Sequence, residues 1–334
     1  MTFVPLDNGP DTAALARLAA LPLVHLGHYP TPVEELAAFR IALGLGPRLL
    51  VKRDDAIPFG FGGNKVRKLQ YVMAEAIASD ADTIITCGGI QSNHARATTA
   101  AAVRHGMRPV LVANGAPPGQ PTGNALLAAL MGAEIHYVAT REDRTPTMAA
   151  LADRFRSEGR RPYVIPLGAS TPLGALGYVQ AVGELLEQIP APDLIMHACS
   201  SGGTQAGILA GCALHGVRTR VIGISADDPV AAVSGTVRAT IAGIGSLLGT
   251  DGEALAAQCR IEVRDEFVGE GYGIPTEASR EAQALAARTE ALFVDHTYTA
   301  KALGALIRLV CDGSVRESQT VLFWHTGGQV GLFA

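Results

Sequence analysis

The sequence predicts an α/β protein built on two open, twisted, mostly parallel sheets flanked by helices and sharing a cleft. Two observations lead there. Short apolar runs bounded by turn residues alternate with segments of helical period along the chain. Strands separated by helices pair in parallel through right-handed crossovers. In addition, a length of 334 residues implies about two domains.

In chain order, strands are read at residues 48–51, 83–87, 109–113, 134–138, 163–166, 193–199, 219–225 and 320–324. A helix begins near Asn64, where Val66, Leu69, Val72, Met73, Ala76 and Ile77 form one apolar face. Alanine-rich helices are read at 95–104, 124–131, 147–157, 174–187, 205–214, 278–291 and 300–311. No repeat, low-complexity stretch or long polar linker interrupts them. Residues 117–123, rich in proline and glycine, read as a connecting loop rather than a mobile flap. Gly243-Ile244-Gly245-Ser246-Leu247-Leu248-Gly249 has the look of a glycine fingerprint, yet no clear strand precedes it, so helix packing is the better reading.

Composition narrows the function. Hydrophobic residues make up 48% of the chain and charged residues only 17%, below the roughly 25% usual for soluble domains. That shortage predicts a deep core or an apolar interface between subunits. A net charge of -4 provides no basic field for nucleic acid or for an anionic membrane. The N-terminus lacks the basic and apolar regions of a secretory signal, and no long uncharged apolar run is found. Five cysteines without CxxC pairs argue against both a disulfide framework and a zinc site, which fits a reducing cytoplasm.

Open α/β sheets bind ligands beyond the C-terminal ends of their strands, and three strand-to-helix turns there are chemically unusual. In Gly62-Gly63-Asn64-Lys65, Asn64 is read as a helix N-cap and Lys65 sits in the first turn. The helix dipole disfavours a cation there, which suits a lysine that must act as a free amine. The competing reading is a solvated basic run with Arg67 and Lys68. The second turn, Gly88-Gly89-Ile90-Gln91-Ser92-Asn93-His94, opens a helix with four polar side chains. One cap explains Ser92 or Asn93 but not the whole set, and the helix start suits a carboxylate. His94 taken alone is more often structural. The third turn, Ser200-Ser201-Gly202-Gly203-Thr204, reads as a phosphate cup of glycine backbone, hydroxyls and a helix N-terminus. It is neither a Walker loop nor a dinucleotide fingerprint.

These three turns, in this order, resemble those of the fold-type II (tryptophan synthase β-like) pyridoxal-phosphate enzymes, and within them the group of ACC deaminase, D-cysteine desulfhydrase and L-cysteate sulfo-lyase. The likeness runs from Pro30-Thr31-Pro32 through Lys52-Arg53-Asp54-Asp55, Pro166-Leu167-Gly168-Ala169-Ser170, Gly174-Ala175-Leu176-Gly177-Tyr178 and Tyr272-Gly273-Ile274-Pro275 to Thr326-Gly327-Gly328. It implies pyridoxal 5'-phosphate as cofactor, no metal, a homodimer, and a small amino acid as substrate. It also implies that residues 1–63 with 172–334 form a large cofactor-binding domain and 64–171 a small one. Lys65 would hold the cofactor as a Schiff base, Asn93 its phenolic oxygen, and Ser201, Gly202, Gly203 and Thr204 its phosphate. Ser92, Gln91, His94, Tyr272 and Tyr298 would meet the substrate, with Lys65, Ser92, Tyr298 and Tyr272 catalytic.

Within the group, the resemblance distinguishes activities late in the chain. ACC deaminases carry Glu and Leu where this sequence has Thr299 and Thr326. A threonine hydroxyl leaves the pyridine nearer neutral, which suffices for α-proton removal and loss of a good β-leaving group. The resemblance therefore implies β-elimination, first of D-cysteine to pyruvate, sulfide and ammonia. L-cysteate or another β-substituted alanine is the alternative; ACC and a non-catalytic cofactor-binding role rank lower.

Overall fold

The structure, a computed structural model, describes residues 9–334, so the signal reading of residues 1–8 lies outside the described residues. In chain order the elements are α1 (Thr12–Ala20), β1 (Val33–Glu35), α2 (Ala37–Ala42), β2 (Arg48–Arg53), α3 (Asn64–Ala78), β3 (Thr83–Gly89), α4 (Asn93–Arg104), β4 (Arg108–Asn114) and α5 (Gly123–Leu130). They continue as β5 (Glu134–Val138), α6 (Arg144–Ser157), β6 (Pro162–Val164), α7 (Pro172–Gln188), β7 (Leu194–Cys199), α8 (Gly203–Leu214), β8 (Arg220–Ser225) and α9 (Val230–Leu247). Last come α10 (Gly252–Gln258), β9 (Glu262–Arg264), α11 (Glu277–Glu290), α12 (Thr299–Cys311) and β10 (Thr320–His325).

Two sheets form, as the sequence predicts. One has six strands in the order β1-β2-β10-β7-β8-β9, and the other four in the order β5-β4-β3-β6. Every pairing is parallel except that of β1 with β2. All six residues of β7 are buried, because helices cover both faces of a parallel sheet and both must be apolar. One face packs on α7, α8 and α9 through Ile195, Leu176, Ile208 and Val237. The other packs on α11 and α12 through Met196, Leu194, Ala286 and Leu303.

The two strands that the sequence reading missed, β1 and β9, are edge strands of three residues. That is too short for an alternating pattern to show. Helices α1, α2 and α10 were missed as well, and α9 was read only where its glycines suggested helix packing. The suspected glycine fingerprint lies mainly on α9, where added methyl groups at Gly243 and Gly245 would meet Pro172 at 2.3 Å and Gly252 at 2.6 Å. Helix packing is thus its role. By length and composition α9 would suit a bilayer, but here Val233, Val237, Ile241 and Ile244 are buried in the core.

Candidate active site

The C-terminal ends of β3, β7 and β10 and the first turns of α3, α4 and α8 meet around a cavity of about 190 Å3. Lys65, Ser92, Asn93, His94, Ser201, Gly202, Thr204, Tyr272, Tyr298 and Thr326 all line it. Gln91, Gly203 and Thr299 do not.

Asn64, expected as a cap, is the first helical residue instead. The cap position belongs to Gly63, at φ 95° and with no side-chain cap. A β-carbon there would lie 2.9 Å from the Thr326 carbonyl, so both conformation and space require glycine. Asn64 is thereby released to tie the lysine to the cup. Its Nδ2 donates to Thr204 Oγ1 at 2.9 Å, and Lys65 Nζ donates to its Oδ1 at 3.2 Å. Burial lowers the Lys65 amine to about 8; Cys199 opposes the shift and Arg96 reinforces it. Desolvation therefore does most of what the sequence reading assigned to the helix dipole.

The solvated basic run is corrected too, since Arg67 and Lys68 are both buried. Lys68 stands three residues after Lys65, on the same helix face. Its Nζ donates to Ser170 Oγ at 3.0 Å and to the Gly168 carbonyl at 3.3 Å. Ser170 Oγ in turn lies 2.7 Å from Ser201 Oγ. A methyl group on Gly203 would meet Ser170 Oγ at 2.7 Å and Lys68 Nζ at 2.9 Å, so glycine keeps the cup open. The Lys68 amine, whose pKa burial and then Lys65 hold well below its usual value, thus converges with two hydroxyls and the start of α8 on one point, which is the donor set of a phosphate site, where a bound anion would favour its protonated form. The sequence offered a signal for Lys68, its i,i+3 spacing from Lys65. Ser170 was marked only as the last residue of the Pro166–Ser170 match, without a role, because it reaches the cup from the loop after β6.

Ser92 is the N-cap of α4, its Oγ accepting from the Ala95 amide at 3.1 Å, and it still faces the cavity. Gln91 turns away; its Oε1 accepts from the Asn124 amide at 2.8 Å and its Nε2 donates to the Thr122 carbonyl at 3.2 Å. It braces α5 instead of meeting substrate. Both ring nitrogens of His94 are engaged, by Thr86 Oγ1 at 2.8 Å and Thr98 Oγ1 at 3.4 Å. Burial, with Lys65 and Lys68 nearby, holds its pKa well below the usual value. His94 is a neutral wall of the cavity with no free nitrogen for a substrate.

Tyr272 and Tyr298 meet edge to face, 5.7 Å between centroids, with their hydroxyls hydrogen-bonded to each other. Burial raises both phenols, Tyr298 the further, so the pair is protonated at neutral pH. Thr299 serves structure: its hydroxyl donates to Asp295 Oδ1 at 2.7 Å and accepts from the Asp295 amide at 2.9 Å. That carboxylate also accepts from the amides of Thr297, Tyr298 and Thr299, fixing the start of α12. Of the two threonines, only Thr326 reaches the cavity. The rim adds Arg141, Arg144, Asp227 and Asp228, none of them singled out by the sequence. Arg141 pairs with Asp227 across the cleft.

A buried amine, a phosphate cup and two parallel sheets around a cleft define a class of cofactor enzyme. Residues 24–327 match the family model described as pyridoxal-phosphate dependent enzyme, and the chain belongs to that family. Among its relatives, the D-cysteine desulfhydrases of Salmonella typhi and Salmonella newport are each 36% identical over 329 residues, spanning 96% of this chain and 98% of theirs. The crystal structure of an ACC deaminase homologue superposes with a TM-score of 0.88 at 33% identity, covering 96% of both chains. The fold extends to more distant proteins such as threonine deaminase isoform 2 of Solanum lycopersicum, with a TM-score of 0.69 at 15% identity, 98% of this chain and 87% of that one. The enzyme is pyridoxal-phosphate dependent. The site fits that group, because Lys65 has a lowered pKa for an imine and the cup has the Lys68 amine and two hydroxyls within reach of one another.

Proposed function

We propose that the chain is a β-eliminating lyase that converts D-cysteine to pyruvate, sulfide and ammonia. One observation carries this reading. Thr326, just past the end of β10, lines the cavity, and Thr299 is bound to Asp295, so a hydroxyl rather than a carboxylate would meet the cofactor's ring nitrogen. The Salmonella relatives named as D-cysteine desulfhydrases support the substrate. Incubation with D-cysteine should release sulfide and pyruvate in equal amounts, with ACC left unchanged; no product at millimolar D-cysteine rejects the assignment.

In this reading Lys68, Ser170, Ser201, Thr204 and the backbone of Gly202 and Gly203 hold the phosphate. Asn93 would face the phenolic oxygen and Thr326 the ring nitrogen. When bound, pyridoxal phosphate supplies a sink for the electron pair left by loss of an α-proton. The start of α4 with Ser92 holds the substrate carboxylate. Lys65 Nζ is the base, since burial lowers its amine to about 8 and leaves a fraction of it free at neutral pH, whereas the raised Tyr298 phenol stays protonated. The protonated Tyr272–Tyr298 pair is placed to give a proton to the departing sulfur. Replacing Lys68 with methionine should weaken cofactor retention by roughly tenfold or more, measured as the concentration that restores activity to stripped enzyme, because a charge-assisted contact is lost. Unchanged retention would remove Lys68 from the phosphate site.

A charged β-substituent, as in L-cysteate, is the second reading, favoured by Arg141 and Arg144 on the cavity wall. Sulfite release from L-cysteate exceeding sulfide release from D-cysteine would select it. The division into a small lobe, residues 64–171, and a large one, with the cavity in the cleft, belongs to the same proposal. So does a cytoplasmic homodimer, supported by the low charge content and by Cys87, Cys199, Cys212 and Cys259 lying buried as free thiols.

A further inference from the structure

Asn93 does not stand alone in the cavity wall. Behind it, between α4 and α5, lie two buried polar side chains that the proposed chemistry does not use, Arg96 and Asn124. Arg96 makes no ion pair with any described residue. Its Nη1 donates to the carbonyls of Gly60 and Gly62, in the turn that leads into Lys65, the second at 3.2 Å. Its Nε donates to Asn124 Oδ1 at 3.0 Å. Asn124 Nδ2 donates to the Gln91 carbonyl at 2.9 Å and to Asn93 Oδ1 at 2.9 Å.

The direction of every bond in this chain follows from two groups that cannot reverse. A guanidinium has donors only, so Asn124 must turn its oxygen toward Arg96. The Gln91 carbonyl is an acceptor only, so Asn124 must turn its nitrogen the other way. That nitrogen also faces Asn93, which must therefore present its oxygen to Asn124. The amide nitrogen of Asn93, with no hydrogen bond to any described residue, is what remains for the cavity.

We propose that Arg96 and Asn124 are positioning residues that set the polarity of the Asn93 amide, holding it as a hydrogen-bond donor to the cofactor's phenolic oxygen. The inference rests on the reading above that Asn93 faces that oxygen. A donor there shares the oxygen's negative charge, so the oxygen holds the neighbouring proton on Lys65 Nζ less tightly. An acceptor there does the opposite. Polarity would thus reach the cofactor from a guanidinium that does not touch it, through two amides. The same guanidinium holds the Gly60–Gly62 carbonyls, so the lysine turn and the amide are placed by one group.

The test is a double-mutant cycle read by the pH at which the visible absorption of the cofactor-loaded enzyme titrates, which reports the proton on Lys65 Nζ. Asn93→Leu removes the donor and should raise this midpoint by about one pH unit, the size of one charge-assisted hydrogen bond. Asn124→Asp offers only acceptors, reverses the Asn93 amide, and should raise the midpoint at least as far. In the double variant the midpoint should equal that of Asn93→Leu alone, because no amide is left to reverse. Asn124→Leu, uncharged and of similar volume, is carried through the same cycle in case the aspartate does not fold, with a smaller rise expected. A shift from Asn124→Asp or Asn124→Leu that persists in full without the Asn93 side chain would overturn the inference in favour of charge or packing, as would no shift from either. If Asn93→Leu itself leaves the midpoint unmoved, the placement of Asn93 on the phenolic oxygen fails, and the inference falls with it.

Discussion

Lys65→Ala should lower turnover by roughly 10^2–10^4-fold, the usual worth of a positioned base, while the protein still folds and retains cofactor through the cup. The other groups nearest Lys65 among the described residues are engaged elsewhere, and the carboxylates Asp227 and Asp228 stand on the rim. Lys68 is committed to Ser170 and Gly168, His94 is held on both nitrogens, and the tyrosine pair is protonated. The absorption band of the lysine-bound cofactor should vanish as well. Full turnover in the variant would refute every catalytic role given to Lys65. The pH dependence carries a sign. Only the free amine attacks an aldehyde, and burial places that amine's pKa at about 8. Uptake of cofactor by stripped enzyme should therefore rise about tenfold per pH unit below 8 and level off above it. An ordinary surface lysine would still be rising well beyond pH 9.

The second large effect is on stability. Asp54, fully buried at the end of β2, accepts from Arg67 Nη2 at 2.8 Å, Tyr178 Oη at 2.6 Å and Trp324 Nε1 at 2.8 Å. Arg67 also pairs with Glu184, which pairs in turn with Lys52, so two cations and two anions balance in one cluster. Tyr178 and Glu184 come from α7, Trp324 from β10, and Arg67 from the first turns of α3. The cluster therefore clamps the helix that carries Lys65 onto the six-stranded sheet. Such clusters are costly to bury, and their value over an apolar core is small, but removing one charge strands its partner. Asp54→Asn should destabilise the protein by about 3–5 kcal/mol, seen as a lower denaturant midpoint by fluorescence of Trp324, the single tryptophan. A loss below 1 kcal/mol would mean that Glu184 alone satisfies Arg67.

Burial by itself would push the Asp54 carboxyl up, but Arg67 together with the Tyr178 and Trp324 donors holds it below its usual range. Because the folded pKa lies below the unfolded value, this group's contribution is full above about pH 4 and is lost as pH falls through the folded pKa. Wild-type stability should decline in acid with this group's share included, and Asp54→Asn should decline less steeply there. Parallel acid profiles would contradict the assignment.

Much of this was legible beforehand for identifiable reasons. β7 was readable because a run that is apolar but for His197 has few alternatives in a parallel sheet, and α3 because Val66, Leu69, Val72 and Met73 repeat at helical period. Lys65, Asn93 and the cup were readable because glycines and polar side chains cluster only where strands end at a ligand. Gln91 and Thr299 turn away from the cavity for a shared reason. Each sits beside a residue that lines it, and one step along a turn or helix start turns a side chain toward a different neighbour, Asn124 and Asp295 respectively. His94 lines the cavity, with its ring nitrogens held by Thr86 and Thr98.

The local order of apolar periods, glycine turns and cap residues determined the α/β class, the strand-to-helix turns and the lysine proposed to lead the chemistry, because those depend on neighbours within a few residues. Only the tertiary structure decided which polar groups face the cavity. Ser170 reaches Lys68 across 102 positions, Trp324 reaches Asp54 across 270, and Asn124 reaches Asn93 across 31. Hydrogen-bond polarity is settled by what stands opposite in space, and no spacing along the chain encodes that.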